Sequence, residues 1–196
     1  MTEDTNKKIS WNKSLDKMLA EWCDQSKCFN WMHTESYSRY SNLATVMSIT
    51  TNIIISLSGI ANLVVGNWLS VTKTPIIFGC ISISVGIINM IHDKFNWSIL
   101  ACDFKKSAEK WGMITRKIQE ILIFPPEERK DCSTFLKYIK QDIDDASLTN
   151  ELIPKDIRQK CMEAFGNIKD FDVPDICGQI EHTRFYEDNI TVPLLF

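Results

Sequence analysis

Leu43-Ala-Thr-Val-Met-Ser-Ile-Thr-Thr-Asn-Ile-Ile-Ile-Ser-Leu-Ser-Gly-Ile-Ala-Asn-Leu-Val-Val65 is an uncharged, mostly apolar run of sequence. A second run, Pro75-Ile-Ile-Phe-Gly-Cys-Ile-Ser-Ile-Ser-Val-Gly-Ile-Ile-Asn-Met-Ile91, follows a short connection from Gly66 to Thr74. Between Arg39 and Asp93 the chain carries one charge, Lys73, if His92 is neutral. A helix needs about 20 mostly apolar residues to cross a bilayer. The first run meets that length, and the second does if it continues slightly past Ile91. The reading is an all-α protein built on a transmembrane helical hairpin, with membrane helices at about 43–65 and 75–93.

Charged flanks mask this hairpin in the averages. Mean hydropathy over all 196 residues is −0.12 and the net charge is −3. Lys and Arg are scattered among Asp and Glu with no basic stripe, so no nucleic-acid partner is expected. The seven cysteines form no C-x-x-C pair. They read as reduced thiols in a cytosolic body rather than a zinc or redox motif. The N-terminus is polar and partly acidic and lacks the order of a cleaved signal peptide. The first apolar run would then serve as the internal insertion signal.

Lys27 and Arg39 precede the first run; Lys94, Lys105, Lys106 and Lys110 follow the second; Lys73 stands alone in the turn. Basic residues favour the cytosolic side, so both termini are expected there, in an integral membrane protein. The sequons at Asn12, Asn96 and Asn189 all fall on that side and are read as silent.

Outside the runs the periodicity stays helical. After the polar segment 1–14, Leu15, Met18, Trp22, Phe29, Met32, Tyr37 and Tyr40 recur mostly at steps of three and four. The first helix is expected unbroken from about Leu15 to Val65. Downstream, Trp97, Leu100, Ala101, Phe104, Ala108, Trp111, Ile114, Ile118, Ile121 and Leu122 form one apolar seam, which Pro125-Pro126 ends. The two extensions (together 15–124) can bury their seams on each other as a coiled-coil stalk. Trp97, Tyr37 and Tyr40 can instead anchor in the headgroup layer. C-terminal helices are expected over 125–166. One opens at Glu127, Glu128 and Arg129, where acidic groups suit the helix dipole; a shorter one begins near Pro154 and stops at Gly166. The remainder, 167–196, shows little periodicity and reads as a docked or partly disordered tail.

The apolar runs carry ordered polar marks. Thr45, Ser48, Asn52, Ser56 and Gly59 share a narrow arc at 100° per residue, as do Gly79, Ser82, Gly86 and Asn89. Asp93 continues the second line. Small residues let helices approach closely, so these stripes read either as helix–helix interfaces or as the lining of a path between several hairpins. The carboxamides of Asn52 and Asn89 weigh toward the path, because an amide facing lipid is costly. Two helices alone enclose no aqueous pore, so conduction requires a homo-oligomer. Asp93, with Glu35, would make the cytosolic mouth acidic and favour cations as permeant ions; Lys73 would oppose this at the far mouth. His33 with Glu35, and His92 with Asp93, lack ligand spacing for a metal site. No phosphate-binding loop or nucleophile motif appears, so neither catalysis nor a cofactor is expected.

Three marks are carried along this architecture: Trp31-Met-His-Thr-Glu-Ser-Tyr-Ser-Arg-Tyr40 before the first run, Ser56-Leu-Ser-Gly-Ile-Ala-Asn62 within it, and Ala108-Glu-Lys-Trp111 on the exit helix. In these marks and in its layout from about Leu15 to Ile143 the chain resembles the SLATT family of two-transmembrane effector domains. The resemblance implies a membrane-embedded, oligomeric, pore-forming effector triggered by a partner that senses a nucleotide signal. The sequence carries no attached sensor or nucleotide-making domain, which leaves the trigger, and with it an unidentified regulatory partner, open. The competing reading is a non-conducting membrane adaptor that recruits a partner through its stalk and tail.

Overall fold

The computed structural model describes residues 10–65, 74–148 and 151–178. Every regular element among them is helical: α1 (Lys13–Val65), α2 (Thr74–Phe95), α3 (Trp97–Ile123), α4 (Cys132–Leu148) and α5 (Lys155–Phe165), with short 3-10 turns at Pro126–Glu128 and Asp175–Cys177. The turn holding Lys73, the N-terminal nine residues and the chain beyond Gly178 lie outside the described residues.

α1 runs unbroken for 53 residues, roughly 80 Å at 1.5 Å per residue. The Asn12 side chain caps it by accepting the Leu15 N–H at 2.9 Å. No glycine or proline interrupts it before Gly59. Its composition changes along its length while its geometry does not. The N-terminal half packs against α3, and the C-terminal half packs against α2.

The α1–α3 pairing is antiparallel and in fixed register. Tyr40 stacks on Phe104 at 5.4 Å, Phe29 stacks on Trp111 at 4.6 Å, and the Cys23 thiol faces the Thr115 carbonyl at 3.9 Å. Two apolar cores grow from this pair. Leu19 and Cys23 of α1 meet Trp111, Ile114, Ile118 and Ile121 of α3, closed by Ile139 and Ala146 of α4. Cys28 and Met32 of α1 meet Phe104 of α3, closed by Ile153, Ile157 and Cys161 at α5 and by Val173 after it. Leu19, Met32, Phe104, Ile118 and Ile139 are essentially inaccessible, each worth about 1.5–3 kcal/mol of apolar burial.

The chain departs from its periodicity in three places. First, α2 and α3 are separate helices. Asn96 sits between them in the left-handed region, φ 44° and ψ 43°. Asparagine visits this region at low cost, so the break needs neither glycine nor proline.

Second, α4 starts at Cys132 and not at Glu127. Residues 126–128 make only a 3-10 turn, and Arg129 is extended (φ −76°, ψ 150°). The Arg129 side chain is committed elsewhere: it pairs with Asp16, donates to the Phe124 carbonyl at 2.8 Å and lies over the Trp11 ring. The functional cap is Asp131, whose carboxylate accepts from the Thr134 N–H and hydroxyl.

Third, the early tail is docked. Phe171, Val173 and Cys177 pack on the core around Met32 and Cys161, and Gln25 donates to Asp172 at 2.6 Å.

Candidate functional site

Burial along the upper half of α1 has a helical rhythm. Between residues 42 and 61 the covered positions are Ala44, Met47, Thr51, Ile54, Ser58 and Ala61. On α2 they are Phe78, Ile81, Val85 and Ile88. These steps of three and four mark the side that each helix turns to its neighbours: on α1 this is α3 beside Ala44 and α2 further along.

The small polar residues lie one position beyond this covered line on α2 and one or two beyond it on α1, with exposed Ile55 among them. Thr45, Ser48, Asn52, Ser56 and Gly59 of α1 are all exposed, and so are Gly79, Ser82, Gly86 and Asn89 of α2. One position is a turn of 100° about the helix axis. Seen down a common axis, α1 and α2 advance in opposite rotational senses because they run in opposite directions. The same 100° step therefore carries both polar lines to the same side of the pair. Together they make one face of small polar residues.

Most of the remaining exposed surface of the pair is greasy, with Thr50 and Ser84 as polar exceptions. Val46, Ile53, Leu57 and Ile60 of α1 and Ile76, Ile83, Ile87 and Met90 of α2 are each at least half exposed. A water-exposed apolar surface of this extent is unusual for a soluble monomer. Among the described residues α1 contains the one stretch long and apolar enough to span a bilayer, with mean hydropathy 1.6 and only 11% of that stretch buried.

Within the polar face some hydroxyls turn back on their own helix. Thr45 donates to the Ser41 carbonyl at 2.9 Å and Ser56 to the Asn52 carbonyl at 2.8 Å. Such bonds hide the donor and leave the oxygen outward. A β-carbon added at Gly59, Gly79 or Gly86 would meet nothing within 4 Å. Packing inside this chain therefore does not require those glycines.

The expected mouth residues separate. Asp93 is exposed on α2, four residues beyond Asn89 and in line with the polar face. Glu35 is exposed but lies about 100° around α1 from that line. Lys73 is outside the described residues. About three turns below Thr45, His33 is fully buried and packs on Phe104 at 5.7 Å, so it shares no pocket with exposed Glu35. Among the described residues no cluster of His, Cys, Asp or Glu is arranged to hold a metal ion.

Below the polar face, four sulfur groups meet at the docked tail. The Cys177 thiol lies 3.7 Å from the Met32 thioether, and Cys161 is buried between Cys177 and Cys28. The Cys177 contact stabilises the Cys161 thiolate, but Cys28 and burial outweigh it and push that thiol up to about 12. The contact with Cys161, and then burial, raise Cys177 as well. These thiols stay protonated and packed at neutral pH. Sequence reasoning missed this cluster because Cys28, Cys161 and Cys177 are far apart in the chain.

Comparison with family models, curated proteins and solved structures finds no match to this chain.

Proposed function

We propose that this chain is the subunit of an oligomeric membrane ion channel or pore-forming effector. Its α1–α2 pair spans the bilayer as a hairpin with both termini cytosolic. One observation carries the reading: two polar stripes, separated in sequence, fall on a single exposed face, and most of the remaining exposed surface is apolar. Several copies with polar faces inward and apolar faces toward lipid would satisfy both surfaces at once. A lone pair in lipid would leave the Asn52 and Asn89 carboxamides against hydrocarbon, which is costly.

The lining is made of neutral dipoles, so it selects weakly by charge. Asp93 extends the polar face toward the cytosol and gives the path a modest preference for cations. The architecture and short marks that resemble the SLATT family point the same way. They add the expectation that a regulatory partner opens the pore.

A second reading rests on a different surface. A groove of about 790 Å³ between α3 and α4 is walled by Ile121, Phe124, Phe135, Tyr138 and Ile139. It suits an adaptor that recruits a partner without conducting. Purified full-length protein in a planar bilayer separates the two. Unitary currents support the channel, and no current under any ion gradient moves the function to the adaptor. Carbonate extraction tests the shared premise: release into the supernatant sinks both membrane readings.

A further inference from the structure

At the foot of the polar face, where the charge-free part of α1 begins, α1 and α3 leave a cleft of about 470 Å³. Tyr37, Ser41, Ser48 and Ile49 line it from α1, and Ser98 and Lys105 from α3. The Tyr40–Phe104 stack fixes the register, so Lys105 lies at the level of Tyr37 to Arg39 and Ser98 near that of Val46, beside Ser48. Along the cleft the chemistry runs in order: an ammonium with a phenol, then serine hydroxyls, then an isoleucine in the apolar zone.

The ammonium is available. Among the described residues Lys105 has no carboxylate partner, while Lys106 is held by Asp103 at 3.0 Å. Arg39, the last charge on α1 before the apolar run, is paired with Asp156 at 2.7 Å. Lys105 is thus the cation left facing the cleft at the level where a bilayer surface would lie.

We infer that this cleft binds an anionic phospholipid. The phosphate sits between Lys105, Tyr37 and Ser41, the glycerol region lies along Ser98 and Ser48, and the acyl chains pass Ile49 into the hydrocarbon. The polarity gradient of the cleft matches that sequence of groups, and a soluble anion would leave the Ile49 end unused. This inference rests on the membrane reading above. The cleft opens on the same side as the polar stripes, so its lipid sits at the cytosolic entrance of the path and its occupancy is coupled to conduction.

Cys102, exposed and lining the cleft, is a native reporter. Full-length protein is reconstituted in phosphatidylcholine vesicles with rising fractions of phosphatidylglycerol, and alkylation of Cys102 by a maleimide is followed by peptide mass spectrometry. Phosphatidylglycerol is expected to slow alkylation about fivefold, the scale of one lysine acting on an anionic headgroup. Lys105→Ala should abolish the slowing and Lys106→Ala should keep it. Unchanged protection in Lys105→Ala, or equal loss in both variants, overturns the site. Equal protection by dissolved glycerol phosphate over pure phosphatidylcholine overturns the lipid as occupant. Protein that resists carbonate in phosphatidylcholine but shows no phosphatidylglycerol effect loses the lipid site alone. Protein that enters no vesicle loses the membrane reading.

Discussion

The side-chain amide of Asn30 on α1 reaches across to α3 beside Gly112. It donates to the Ala108 carbonyl at 2.6 Å, and a β-carbon at Gly112 would come within 3.0 Å of its nitrogen. A bond that ties two long helices together thus depends on the absence of a side chain. Gly112→Ala should push Asn30 off the carbonyl, destabilising the α1–α3 pair by about 1–3 kcal/mol despite alanine's better helix propensity. Thermal unfolding of the purified protein checks the sign: a stabilised variant would mean that Asn30 yields freely.

Arg129 locks the start of α1 to the α3–α4 connection. Its side chain is 5% exposed and contacts Asp16, the Phe124 carbonyl and the Trp11 ring. Arg129→Ala should cost about 1–2 kcal/mol, because it removes the partner of a part-buried carboxylate and the packing over Trp11. Protease cleavage near residues 124–131 should accelerate in the same variant. An unchanged cleavage pattern would assign the arginine no anchoring role.

Arg39 and Asp156 join the foot of the apolar stretch to α5. The bond from Arg39 holds the Asp156 carboxyl below its ordinary 3.8. A depressed folded value means that the contribution is full above the ordinary value and is lost as pH falls through the folded one. Both side chains are about half exposed, so the effect is small and sensitive to salt. The melting difference between wild type and Asp156→Asn should be visible near neutral pH and vanish in acid. A difference that grows in acid would reverse the assignment.

The polar face makes a graded prediction for conduction. Asn52→Leu, Ser56→Leu and Gly86→Leu should each change unitary conductance, and Asp93→Asn should reduce cation preference. Leu57→Ala, on the apolar side, should change neither. Indifference of conductance to all three leucine variants would place the path elsewhere.

Thiol labelling reads the sulfur cluster directly. Cys102 should react quickly with a small maleimide at neutral pH, and Cys161 only after unfolding, because its thiol titrates near 12 and its side chain is fully buried. Rapid labelling of Cys161 in the folded protein would show that the docked segment around Val173 opens.

Much of the helical layout was legible because its signals are local. The length of α1 follows from the lack of breakers, the end of α3 from Pro125-Pro126 and the end of α5 from Gly166. The start of α4 was misplaced because acidic residues after a proline imitate a helix opening. The contacts that hold Arg129 extended come from Asp16 and Trp11, more than 100 residues away. The break at Asn96 was hidden by continuous apolar spacing through Phe95 and Trp97. The buried places of His33, Cys28 and Cys161 depend on helices whose mutual register no local pattern encodes.

The sequence by itself determined that the chain is helical, that one helix carries a bilayer-length apolar stretch, and that each apolar run has a narrow polar stripe. A stripe fixes a direction only about its own helix axis. Where that direction points is set by the partner helix and by the sense in which it runs. Only the tertiary structure put Thr51 and Val85 on the covered sides of α1 and α2 and left Asn52 and Gly86 exposed on a common side. The physical reason is that antiparallel helices rotate in opposite senses, so equal steps past the covered sides converge on one face.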